Sequence, residues 1–78
     1  MARKRKQPNR KLIALRLNKG LTPNHVAYMT GLTGPTVRLA EGGHIPSPRV
    51  QFALAEFFGV EEVMDLWPIE TQKELATW

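Results

Sequence analysis

The side chains able to do chemistry in this chain are mostly cationic, and they crowd to one side of it. Arg3, Lys4, Arg5 and Lys6 are consecutive, and Arg10, Lys11, Arg16, Lys19 and Arg38 follow before the first acid, Glu41. From Glu41 onward two bases, Arg49 and Lys73, stand among seven acids, so the two parts carry +9 and −5 within a total of +4. A cationic segment of that density attracts a polyanion, either a nucleic acid or an anionic membrane surface.

The apolar pattern chooses between the two. After the basic start only Leu12, Ile13, Ala14 and Leu15 precede Arg16, too few for a signal-peptide core, and no apolar run approaches the roughly 20 residues of a membrane span. Residues 1–11 have no large apolar side chain after Met1, so they offer no face for a membrane-surface helix. Nucleic acid is the expected partner and a membrane is not.

Other chemistries find few residues to work with. The chain has no cysteine, which leaves no disulfide, thiolate metal site or thiol nucleophile and points to a reducing, intracellular setting. His25 and His44 have no cysteine or acid placed to share a metal with them, and they read as surface histidines. No paired carboxylates, Ser-His-Asp set or phosphate-cradling glycine loop stands out. Seventy-eight residues allow one domain that buries roughly 60% of its unfolded surface, without room for a large catalytic pocket. Neither an enzyme nor a metal, cofactor or small-molecule ligand is expected. Met29, Met64, Phe52, Phe57, Phe58 and Trp67 read as core or interface.

The elements that must position the basic residues are helices. Residues 1–9 form a polar, basic arm broken by Pro8, which disfavours helix through Gln7. The spacing predicts a first helix from Asn9 as cap to about Lys19, with Leu12, Ile13, Leu15 and Leu17 on its buried side and Gly20 ending it. Thr22-Pro23 is a capping hydroxyl followed by proline at the first helical position, opening a second helix to about Thr30. Gly31-Leu32-Thr33 is a tight turn, and Gly34-Pro35 opens a third helix to about Glu41, which must cross the second steeply. Ser47-Pro48 opens a fourth, closed by Gly59, with Val50, Phe52, Ala53, Leu54, Phe57 and Phe58 as its apolar face. A fifth short helix is expected over residues 61–66, limited by Pro68. No stretch alternates at period two, so the fold class is all-α with five helices. The domain spans residues 10–68, and residues 69–78 form a tail suited to an extra helix or a dimer contact.

In this order the residues resemble the lambda-repressor and Cro-like helix-turn-helix family of XRE-type regulators, over about residues 10–67. The resemblance rests on Leu12, Leu15, Arg16, Gly20-Leu21-Thr22, Ala27, Gly31, Val37, Glu41, Gly43, Pro46-Ser47-Pro48, Leu54-Ala55 and Gly59-Val60. Ala27, Gly31 and Val37 match the small residue at the helix crossing, the turn glycine and the buried branched residue of the recognition helix. The physics agrees: alanine lets two backbones approach, glycine takes the turn, and valine fills the angle.

The resemblance implies a compact lambda-repressor-like DNA-binding domain with an ion pair between Arg16 and Glu41. It also implies that Thr33, Gly34, Pro35, Thr36 and Arg38 face the major groove. The chain departs from the family at Gly34 and Pro35, which can donate nothing to a base edge, at Leu39, and at Pro23, where glutamine is usual. Hydrogen-bonded readout falls to Arg38, Thr33 and Thr36. Thr22 and Asn24 suit a phosphate, as do His44 and Arg49, while Arg3, Lys4, Arg5 and Lys6 track the backbone or enter a minor groove.

The function implied is a sequence-preferring double-stranded DNA-binding transcription regulator. By resemblance it is a repressor or Cro-like protein of a phage or mobile element, working by promoter occupancy in a bacterial cytoplasm or phage-infected cell. A homodimer, at least on DNA, is expected through Val63, Met64, Leu66, Trp67 and Ile69. The alternatives are an antitoxin or adaptor that binds a protein through the C-terminal half, an excisionase-like or architectural DNA factor, and an RNA-binding module.

Overall fold

Four caps and three prolines set the helix starts. The computed structural model describes residues 7–68, and there the chain is all-helical: α1 (Arg10–Asn18), α2 (Pro23–Thr30), α3 (Gly34–Glu41) and α4 (Pro48–Phe58), then one 3-10 turn, Val63–Asp65. Asn9, Thr22 and Thr33 each accept a backbone N–H of the first turn through a side-chain oxygen, whereas Ser47 sits at the cap position without such a bond. The prolines stand just inside α2, α3 and α4, where a missing N–H is harmless. Thr22→Ala and Thr33→Ala should each lower the unfolding free energy by about 1 kcal/mol, and Ser47→Ala by clearly less. Urea titrations of the three variants check this.

The expected fifth helix is not formed. Between Gly59 and Pro68 the backbone makes only the 3-10 turn, with Glu62 extended before it. A segment this short gains little from helical hydrogen bonds alone. Its packing also demands that two successive side chains, Leu66 and Trp67, both turn inward, and both are buried in the core.

That core joins Leu12 of α1, Val26 and Ala27 of α2, Val37 and Ala40 of α3, and Leu54 and Phe58 of α4 to Leu66 and Trp67. Two side chains read from sequence as core lie outside it: Leu17 is 61% exposed and Phe52 62%. Helical periodicity explains both. Leu17 lies well over a third of a turn from Leu12, and the buried stripe of α4 is Gln51, Leu54, Ala55 and Phe58, about a third of a turn from Phe52. Gln51 is buried at no loss of hydrogen bonding because its Nε2 donates to the Pro46 carbonyl at 2.9 Å, fastening the preceding loop to α4.

Asn9 ties three parts of the chain together. Its side-chain oxygen caps α1, its N–H donates to the Glu41 carbonyl at 2.8 Å, and its Nδ2 donates to the Leu66 carbonyl at 2.8 Å. The segment assigned to the arm therefore ends before Asn9, which is anchored to the end of α3. Arg3, Lys4, Arg5 and Lys6, and the tail with Ile69, lie outside the described residues.

Candidate nucleic-acid interface

The turn between α2 and α3 decides which residues share a surface. Gly31 ends α2 in the left-handed region at φ 74°, a conformation that costs a side chain with a Cβ roughly 1–2 kcal/mol. The Leu32 N–H returns to the Ala27 carbonyl at 2.9 Å and closes the turn. Ala27 and Val37 are buried on the facing sides of the two helices. With Val37, Ala40 and Glu41 turned inward, Pro35, Arg38 and Leu39 form the outward stripe of α3 at spacings of three and four residues.

The first turn of α2 meets the last turn of α3 through side chains. Arg38 Nη1 donates to Asn24 Oδ1 at 2.9 Å, on the solvent-exposed surface. The hydroxyls of Thr33 and Thr36 bond each other at 2.8 Å while Thr33 also caps α3, so these two hydroxyls are already partly engaged within the chain. Thr22, Asn24, Thr33, Pro35 and Arg38 are exposed, and Gly34 and Thr36 are half-buried. His44, on the loop after α3, and Arg49, in the first turn of α4, are exposed as well. Arg49 makes no ion pair or side-chain hydrogen bond with the Asn24–Arg38 cluster among the described residues.

Behind this surface lies the pair of Arg16 and Glu41. Arg16 Nε donates to Glu41 Oε2 at 2.7 Å, and Arg16 Nη1 donates to the Leu21 carbonyl at 2.8 Å. The two side chains are 14% and 10% exposed, so the pair is shielded from most of the solvent. It connects α1, the α1–α2 loop and the end of α3. It also neutralises the one carboxylate of the first three helices, and Glu56, Glu61, Glu62 and Asp65 all belong to α4 and the segment after it. The exposed charge of the α1–α3 part is positive: Arg10, Lys11, Lys19 and Arg38.

The dimer candidates fare differently. Leu66 and Trp67 are enclosed by this chain's own core, which removes them as contacts for a second copy. Val63 is half-buried and Met64 exposed. Leu39, read from sequence only as a departure from the family pattern and not as a contact, stands beside Arg38 on the outward stripe and is 52% exposed. Its position four residues after Pro35 was the available signal.

Met29, read as core or interface, is exposed, and with Thr30, Ala53, Glu56 and Phe57 it lines a shallow groove of about 370 Å³ between α2 and α4. Lys19 Nζ lies 5.8 Å from the centroid of the Phe57 ring at one side of that ring. Among the described residues no three of His, Cys, Asp and Glu stand close enough to share a metal ion, and no helix is long and apolar enough to cross a membrane. Comparison with protein-family models, with curated proteins and with solved structures finds no match to this chain.

Proposed function

We propose that the chain is a double-stranded DNA-binding transcription regulator of the lambda-repressor and Cro-like helix-turn-helix kind, with sequence preference read by α3. The observation that carries this reading is the α2–turn–α3 unit. Ala27, the left-handed Gly31 and Val37 hold the two helices, and the outward stripe of α3 carries Pro35, Arg38 and Leu39 on a positively charged surface. A helix of eight residues held this way fits a major groove, with Arg38 as the hydrogen-bonding reader and Pro35 and Leu39 as apolar neighbours for thymine methyl groups. Backbone N–H groups at the start of α2, with Thr22 and Asn24, suit a phosphate, and the basic residues of the arm add affinity independent of sequence.

On this reading the protein acts in a bacterial cytoplasm or phage-infected cell by covering a promoter element, as a phage or mobile-element repressor does. A single domain with few base-reading side chains discriminates modestly, so a homodimer on a two-fold site is the form proposed to work on DNA. The test is a titration with duplex DNA followed by amide NMR. Shifts should concentrate at residues 22–24 and 33–39 and leave 50–58 unmoved. Shifts centred on α4, or none, would refute the assignment of the surface.

A second reading, an adaptor or antitoxin that binds a protein, is favoured by the exposed Met29 and the half-buried Phe57, which line the groove between α2 and α4. Exposed apolar groups gathered beside a groove often mark protein contacts. Co-purification of a partner in one-to-one amount, lost on Met29→Lys, would favour it.

A further inference from the structure

We infer that Asn24 and Gly34 act together as positioning residues for Arg38, setting which edge of its guanidinium is offered to a guanine; this rests on the DNA-reading function proposed above. Arg38 belongs to α3, yet its Nη1 is held by Oδ1 of Asn24, fourteen positions earlier in α2, at 2.9 Å. The bond runs over Gly34. A Cβ at that position would collide with the Asn24 oxygen and stand 3.3 Å from both Nη1 and Nη2 of Arg38. Gly34 is helical and has no positive φ, so its backbone does not demand glycine. What demands it is the space occupied by the Asn24–Arg38 bond.

The consequence is chemical. A guanidinium offers five N–H donors in a rigid fork, and an arginine reads guanine by giving two parallel N–H groups to O6 and N7. With one Nη1 hydrogen engaged by Asn24, the Nε and Nη2 edge remains as a parallel pair that takes no hydrogen bond among the described residues. The side chain is also restrained before DNA arrives, which reduces the ordering needed on binding. A free arginine at this exposed position would visit phosphates and bases alike. Anchored to α2, it is directed to one base edge.

The experiment measures affinities for a set of duplexes that differ at one base pair, using the full chain, Asn24→Ala, Gly34→Ala, Arg38→Ala and the double variant Asn24→Ala/Arg38→Ala. A bidentate arginine–guanine contact discriminates by roughly 5- to 150-fold, and Arg38→Ala should erase that ratio at one base-pair position. Asn24→Ala and Gly34→Ala should each reduce the same ratio at the same position by about 5-fold or more, on the scale of such contacts. In this ratio the double variant should match Arg38→Ala alone, because Asn24 bears on the base preference only through Arg38, and any phosphate contact it makes weakens all duplexes alike. Thermal unfolding accompanies each variant, and Gly34→Ala should unfold at the same temperature as the parent chain or higher, since alanine favours helix.

The inference is overturned if Asn24→Ala keeps the ratio that Arg38→Ala removes, if it weakens every duplex equally, or if it lowers the melting temperature without touching the ratio. Those results leave the DNA-reading function standing. A parent chain that distinguishes no duplex from another overturns that function and this inference together.

Discussion

Glu41→Ala is expected to lower the unfolding free energy by about 3 kcal/mol, and Arg16→Ala by a similar amount, because either change leaves a charge in a largely solvent-shielded place without its partner. The pair is 14% and 10% exposed, and Arg16 also satisfies the Leu21 carbonyl, so the two losses differ in what they strand. Glu41→Ala strands a guanidinium that keeps one hydrogen bond. Arg16→Ala strands both a carboxylate and the carbonyl of the loop before α2. A core of this size rarely supplies more than about 3–5 kcal/mol, so each variant should keep only about 0–2 kcal/mol, between half-unfolded and a few per cent unfolded at room temperature. Replacing both residues by alanine should cost less than the sum of the single losses, since the second change removes the stranded partner. Chemical denaturation of the four proteins checks this. Single losses below about 1 kcal/mol would mean that the pair behaves as an exposed surface bridge.

Binding to duplex DNA is expected to fall about 1,000-fold between 50 and 200 mM salt, because about six phosphates neutralised by Lys and Arg give a slope near −5 in log affinity against log salt. The exposed cations of the domain, Arg10, Lys11, Lys19, Arg38 and Arg49, fall short of that number, and Arg38 is assigned to a base. Arg3, Lys4, Arg5 and Lys6 must supply the rest. Removing residues 1–8 should therefore bring the slope to about −2, with the counterion release of the lost contacts accounting for the difference. Fluorescence anisotropy over a salt series measures both slopes. An unchanged slope after the deletion would show that the arm makes no phosphate contact.

The helix starts were legible in the sequence because caps and prolines are local signals: Thr22-Pro23, Thr33 before Gly34-Pro35, and Ser47-Pro48 each stand where a helix begins. The side of each helix that faces the core was only partly legible. Phe52 and Leu17 are apolar, and periodicity alone left room for them on a broad face, but the facing helices cover only the stripes centred on Leu54 and Leu12. The fifth helix was misread for a tertiary reason: Leu66 and Trp67 are both needed in the core, and a tight 3-10 turn delivers two neighbours inward where a regular helix would spread them. The same fact moved those two residues from candidate dimer contacts to core.

Within the candidate interface, residue types alone left hydrogen-bonded readout to Arg38, Thr33 and Thr36, since Gly34 and Pro35 donate nothing to a base. The bond between Asn24 and Arg38 was beyond sequence reasoning, since it depends on how two helices cross and on the space above Gly34. Asn9 was legible as the cap of α1, but its bonds to the Glu41 and Leu66 carbonyls, which tie it to the rest of the domain, were not.

The central claim is that α3 reads a preferred sequence in double-stranded DNA. Selection of bound sites from a random duplex pool, run in parallel with the full chain and with residues 1–8 removed, tests it most directly. The expected result is a consensus with a two-fold repeat, a guanine at the position sensitive to Arg38→Ala, and the same consensus, bound more weakly, after the deletion. A pool that yields no consensus with the full chain, or one whose consensus vanishes with the arm, would contradict reading by α3.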